Sequence, residues 1–178
     1  MIGTLTLDGS SLTSPVVELN NGELVLNNGV VITNNESSGV IVGSGSSPAS
    51  IFTMNGGSII NNTSGGTGSG GGVYVRQASI FLMNSGIISG NSASIGGGVF
   101  TSGDFTMKGG TISANTATTG GGGGVLISSP GSFSIESPAT KSSVHDNTAS
   151  LDPTSEQVLA PPSPPDRFLV NGVPQESY

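Results

Sequence analysis

Apolar residues in this chain alternate with polar ones in short runs and never recur at helical spacing. Anchoring on the large apolar residue that opens each run gives Leu24, Phe52, Phe81, Phe105 and Phe133, and two positions on come Leu26, Met54, Met83, Met107 and Ile135. Seven positions after the anchor stand Val31, Ile59, Ile88 and Ile112, and ten after it Asn34, Asn62, Asn91 and Asn115; a longer last unit keeps Val144 and Asn147 at the same offset from each other. Each unit then runs through Gly into an apolar pair split by one residue: Val40 and Val42, Val73 and Val75, Val99 and Thr101, Val125 and Ile127. A degenerate earlier unit reads Leu5, Leu7, Leu12, Val17 and Leu19, with Pro15 in the place of the Asn. Period-two runs of three to five residues bounded by Gly, Asn and Ser predict strands, three to a unit.

Units of 24 to 29 residues are the length of one turn of a solenoid. Stacking them about 4.8 Å apart sets like on like. The expected fold is therefore all-β: a right-handed parallel β-helix of five to six turns with three short strands per turn, the hand following from the general rule for parallel connections. It should span residues 1–150. An Asn column at 34, 62, 91, 115 and 147 would satisfy buried polar groups at a bend by stacking amides from turn to turn. From residue 151 the pattern stops, and "APPSPPDR" cannot pair as a central strand, because proline has no backbone donor. Residues 151–178 read as a Pro-rich linker or C-terminal cap, with "RFLVNGV" able to form one strand.

The repeat resembles that of the chlamydial polymorphic outer-membrane proteins and of adhesin-like surface proteins of spirochaetes and gut bacteria. The segments that carry the likeness are "ISGNSASIGGGV", with Ile88, Asn91 and Val99, and "ISANTATTGGGGGV", with Ile112 and Asn115; it covers about residues 23 to 150. The resemblance implies export and display at a cell surface. Members often carry a C-terminal membrane barrel, and no series of ten-residue alternating strands stands here to build one.

Composition narrows the functional classes. Four Lys and Arg against eleven Asp and Glu give a net charge of −7, which cannot supply the basic stripe that nucleic acid needs. Cysteine is absent, so disulfides, thiolate metal sites and thiol catalysis are excluded. No run is long enough to span a bilayer, and the start lacks the basic and apolar regions of a signal peptide. The expectation is a fragment whose export signal lies upstream.

Candidate chemistry is sparse. "GTGSGG" at 66–71 matches the dinucleotide fingerprint by letter, but no helix pattern follows to meet a phosphate. The Gly turns carry Ser, Thr and Asn in place of the Asp that a calcium-binding roll requires. Neither cofactor nor metal is expected. The column after the Met position reads Asn27, Asn55, Asn84, Lys108 and Glu136, and places Lys108 and Glu136 one turn apart as a solvated ion pair. His145 and Asp146, with Lys141 close by, form the nearest thing to an acid–base group. A carbohydrate-active β-helix, lyase or hydrolase, would want several acids in register on one groove. Ice binding would want a regular Thr array, and the outward column between Phe and Met reads Val25, Thr53, Leu82, Thr106 and Ser134.

One column remains. If the paired Val residues point inward, Ile41, Tyr74, Phe100 and Leu126 point outward as an apolar stripe four turns long. Either Phe168, Leu169 and Val170 fold back over it, or the alternation reverses locally, or it docks a partner chain or ligand. The functional expectation is a non-enzymatic, adhesin-like passenger, extracellular or on the outer membrane, that displays loops to host or matrix proteins or glycans.

Overall fold

The computed structural model describes residues 3–10, 12–46, 49–140, 143–150, 158–159, 168–171 and 173–175. Its strands stack in parallel as a solenoid of about five turns. The Phe–Met sheet contains Gly22–Leu26, Ser50–Met54, Ile80–Met83, Asp104–Met107, Ser132–Ile135 and Phe168–Val170, with Val173–Pro174 added antiparallel at the end. The Ile sheet contains Leu5–Asp8, Val30–Thr33, Ser58–Ile60, Ile87–Ser89, Thr111–Ser113 and Val144–His145. The Val sheet contains Val17–Leu19, Val40–Val42, Val73–Val75, Val99–Thr101, Val125–Ile127 and Val158–Leu159. A fourth, short sheet of Thr63–Ser69, Ser92–Ile95, Thr116–Ala117 and Thr148–Ala149 adds to the three strands per turn that alternation predicts.

The columns explain the stability of the rod. Phe52, Phe81, Phe105 and Phe133 stand in register and are almost wholly buried. Their rings stack with centroids 4.9, 4.6 and 4.5 Å apart and planes within 15°, so each inner ring has a neighbour on both faces. Met54, Met83, Met107 and Ile135 form the next file, and Ile59, Ile88 and Ile112 the opposing one. Because the strand repeat equals the ring-stacking distance to within a few tenths of an ångström, one pleat spacing satisfies backbone and core together.

Three details differ from the expectation. The Ile column begins at Ile32, fully buried and paired with Ile59, whereas Val31 pairs with Ser58 and is half-buried; the corner between Leu26 and Ile32 holds one residue more than that between Met54 and Ile59. In the earliest unit, Leu5–Asp8 lies in the Ile sheet, with Leu7 against Ile32, instead of above Leu24. Leu5 and Leu12 are exposed. Alternation says which side of a strand is buried, not which wall of the prism the strand belongs to.

The columns also run past residue 150. Val158–Leu159 pairs with Val125–Leu126, and Phe168–Val170 pairs with Phe133–Ile135. The strand expected in "RFLVNGV" is thus present at Phe168–Val170 and continues the Phe–Met sheet, whereas Val158–Leu159 was not expected, because the proline-rich spacing after residue 150 hides its register with the Val sheet. "APPSPPDR", at 160–167, lies outside the described residues.

Candidate functional site

The stripe predicted on the Val sheet is aligned as expected: Ile41 pairs with Tyr74, Tyr74 with Phe100, and Phe100 with Leu126. Their neighbours Val40, Val42, Val73, Val75, Val99, Thr101, Val125 and Ile127 are buried. Yet the stripe is not an open apolar surface. Ile41 and Phe100 are each only 8% exposed, and Tyr74 and Leu126 are half-buried.

The cover comes from the Gly-rich loops rather than from the C-terminal strand, which is occupied extending the Phe–Met sheet. Gly70, Gly96 and Gly122 have φ of 63°, 61° and 70°, a left-handed turn that folds each loop back over the strand it feeds. A Cβ on Gly96 would lie 2.7 Å from the Val99 carbonyl oxygen and 3.0 Å from Phe100 Cα, and one on Gly122 would lie 2.7 Å from Leu126 Cβ. Gly96→Ala is therefore expected to lower unfolding free energy by about 1–3 kcal/mol, from the strained backbone and the clash together. Chemical denaturation measures it; an unchanged midpoint would place the loop off the strand.

Polar groups close the upper end of the same column. Glu18 pairs with Ile41 in the strand register, and Arg76 Nη1 reaches Glu18 Oε1 at 3.1 Å and donates to the Gly43 carbonyl at 3.0 Å. The Arg76 guanidinium also lies 5.6 Å from the Tyr74 ring centroid, and Tyr74 meets Phe100 edge-on at 5.0 Å. What is left accessible is an amphipathic strip centred on Tyr74 and Leu126. It can contact a ligand; it holds no reactive group.

The Asn column is a continuous hydrogen-bonded ladder, with one change of residue. Asn62, Asn91, Asn115 and Asn147 are buried, and each of Asn62, Asn91 and Asn115 donates both its backbone N–H and its Nδ2 to the Oδ1 of the next rung, at 2.9 to 3.0 Å. The first rung is Asn35, whose N–H donates to Asn62 Oδ1 at 3.2 Å. Asn34 is exposed, has φ of 57°, and donates to Asp8 Oδ2. The extra corner residue that displaces Val31 displaces Asn34 with it. Asp8 also accepts from Ser10 through both the hydroxyl and the backbone N–H, and these bonds, followed by that from Asn34, hold its carboxyl below the usual range.

Outside the rod, Asn84 donates to Asn55 Oδ1 at 2.9 Å and Asn55 to Asn27 Oδ1 at 3.3 Å. Lys108 and Glu136 follow in this file as an ion pair at 3.6 Å, both about half exposed. Lys108→Ala is expected to change stability by less than about 1 kcal/mol, since water and salt screen such pairs; a melting curve displaced well beyond that would show the pair to be structural. Asp104 accepts from Ser132 Oγ at 2.6 Å. His145 Nδ1 and Asp146 Oδ2 are 2.8 Å apart at the surface, with Ser113 beside His145 in the register; Lys141 lies outside the described residues. "GTGSGG" runs through the strand Thr63–Ser69 and the turn after it, and leads into the strand Val73–Val75, not into a helix.

Among the described residues no group of three or more His, Asp or Glu is placed to hold a metal ion. No helix among them is long and apolar enough to cross a membrane. No family model, curated protein or solved structure matches the chain.

Proposed function

We infer that the chain is a surface-displayed or secreted rod whose loops meet a macromolecular ligand, in the manner of an adhesin passenger of the polymorphic outer-membrane type, wound right-handed as parallel connections generally are. The observation that carries this reading is where the coils differ in length. Met54 to Ile59, Met83 to Ile88 and Met107 to Ile112 are equally spaced, and so are Ile59 to Asn62, Ile88 to Asn91, Ile112 to Asn115 and Val144 to Asn147. The spans from ladder Asn to the Val strand vary from Asn35–Val40 to Asn62–Val73, and those leaving the Val strands vary from Thr101–Phe105 to Val42–Phe52. Both of these edges flank the Val sheet; the corner between the Phe–Met and Ile sheets is longer as well in the last coil, from Ile135 to Val144, and by one residue from Leu26 to Ile32.

A scaffold in which most of the length variation is gathered on either side of one wall is the arrangement of a display surface, because loops carry binding while the stacked core holds them still. The half-accessible Tyr74 and Leu126 lie between those edges and would supply apolar contact to a host or matrix protein or a glycan. In this reading the rod is a scaffold and not a catalyst. The Lys108–Glu136 pair is solvated, and Asp104 is engaged by Ser132.

The test is a binding screen of the full chain against extracellular-matrix proteins and glycans, run beside a variant with Thr63–Ser69 shortened and one with Tyr74→Ala. Binding that falls in both variants supports the reading. Binding indifferent to both, or release of fragments from a polysaccharide, overturns it in favour of a different face or of a carbohydrate-active enzyme.

A further inference from the structure

Phe52 and Met54 are buried, so Ile51, Thr53 and Asn55 on either side of them turn outward, and each neighbouring coil repeats that parity. The strand register gathers these outward residues into three files across the Phe–Met sheet. Ile51 and Ile80 stand together in the first, with Glu23 before them and Asp104 and Ser132 after. The middle file runs Val25, Thr53, Leu82, Thr106, Ser134 and Leu169. The third is the amide file Asn27, Asn55 and Asn84, continued by Lys108 and Glu136 and kept in step by their backbone N–H bonds to the coil before.

Two properties of this face bear on what it can meet. Val25 is 50% exposed and Ile51, Ile80 and Leu82 are half-buried, so four aliphatic side chains share one flat patch in contact with solvent. The charges beside the patch are split between its outer files. Asp104 lies in the first and Lys108 in the third, four residues apart along one coil, or about 13 Å. They cannot meet within one copy.

We propose that this face docks a second copy of the chain, the two rods lying side by side and pointing the same way. A two-fold axis along the middle file turns the first file of one copy onto the third file of the other. Asp104 then faces the second copy's Lys108, and Lys108 its Asp104. Stacked sheets stand about 10 Å apart, a gap that a Lys and an Asp side chain bridge together. On the axis Leu82 meets Leu82 and Val25 meets Val25, while Glu23 faces Asn27 and Glu136 faces Ser132, so no acid faces an acid. Rods packed in opposite directions would instead set Asp104 against Glu23 or against Ile51, according to their offset. Like charges, or a carboxylate desolvated on aliphatic surface, disfavour both. Opposite charges placed symmetrically about a self-matching apolar file are what select a second copy over an unrelated protein. A net charge of −7 opposes less ordered association between copies. The seven strands of the sheet, at about 4.8 Å each and about 16 Å across, give a face of about 550 Å² per copy. A pair buries about 1,100 Å², the low end for a specific interface, so the dimer is reversible.

Analytical ultracentrifugation of the full chain over a range of concentrations tests this, with circular dichroism to confirm that each variant is folded. The parent protein is expected to pass from monomer to dimer as concentration rises. Lys108→Asp and Asp104→Lys should each lower the association constant about tenfold, and the two together, which exchange the charges, should restore it. The chain has no cysteine, so position can be read independently of the charges. Thr53→Cys, on the axis, should be joined to its own copy by a short bis-maleimide, and Ser89→Cys, outward on the Ile sheet, should not. A parent protein that stays monomeric at every concentration overturns the proposal. So does a dimer indifferent to both charge variants, a double variant no better than the single ones, or equal cross-linking at the two cysteines.

Discussion

Replacing Phe105 with Ala is expected to destabilise the rod by about 3–5 kcal/mol, the usual range for emptying a buried aromatic site. Phe105 is 1% exposed and lies between Phe81 at 4.6 Å and Phe133 at 4.5 Å. Truncation removes two ring contacts at once and leaves a void in the middle of the file, bounded above and below by rings that strand pairing holds at fixed height. Collapse of the site would need a whole coil to shift, and the parallel register of Phe81 with Phe105 and Phe105 with Phe133 opposes that. In a solenoid, coils couple mainly to their neighbours, so the loss also weakens cooperation between the two halves. Urea denaturation read by far-ultraviolet circular dichroism should show a lower midpoint and a broader transition. Phe105→Leu, which refills most of the volume, should cost about half as much or less. A Phe105→Ala midpoint within error of the parent would mean that the rings do not stack in solution.

Much of this arrangement could be read from the chain, and the divide has a physical basis. Phe52, Phe81 and Phe105 announced their column because burial in a stack demands the same residue type in each coil. The Asn at 62, 91, 115 and 147 did so for a related reason: a buried amide has no good partner except another amide at the same height. The Asn34–Asn35 pair shows where that logic stops. Two adjacent Asn fit the letter pattern equally, and only the length of the preceding corner decides which one turns inward.

The short sheet was illegible for a different reason. Thr, Ser, Ala and Gly have no apolar alternation, and "SAS" or "TAT" is extended here only because the ladder and the coils on either side supply its hydrogen bonds. Tertiary context outweighs local propensity in such segments. The stripe failed as an exposed feature in the same way: glycine runs read as outward loops, yet Gly96 and Gly122 lie against Phe100 and Leu126. The Arg76–Glu18 contact joins residues far apart in the chain, with no spacing rule to reveal it.

The ladder itself yields the second large effect. Asn91→Leu is expected to cost about 3 kcal/mol, and the reason is what it leaves behind more than what it removes. Asn91 Oδ1 accepts from the Asn62 N–H at 3.0 Å and from Asn62 Nδ2 at 2.9 Å, while Asn91 Nδ2 donates to Asn115 Oδ1 at 3.0 Å and to the Ile59 carbonyl at 2.9 Å. With Leu in place, the backbone N–H of Asn62 loses its acceptor in a site where Asn62 is 0% exposed. A buried donor without a partner carries a penalty of about 1–3 kcal/mol. Asn62 Nδ2 is less affected, since it also donates to the Ile60 carbonyl at 3.1 Å. Asn115 Oδ1 keeps the Asn91 backbone N–H, which Leu retains. The damage is thus directional, falling on the Asn62 side of the substitution. Hydrogen exchange can see that direction: the Asn62 amide should lose protection, while the Thr148 amide, bonded to the Asn115 carbonyl at 2.8 Å, should keep it. Equal loss at both amides would indicate general unfolding, and undiminished protection at Asn62 would show that its N–H is satisfied by something other than the ladder.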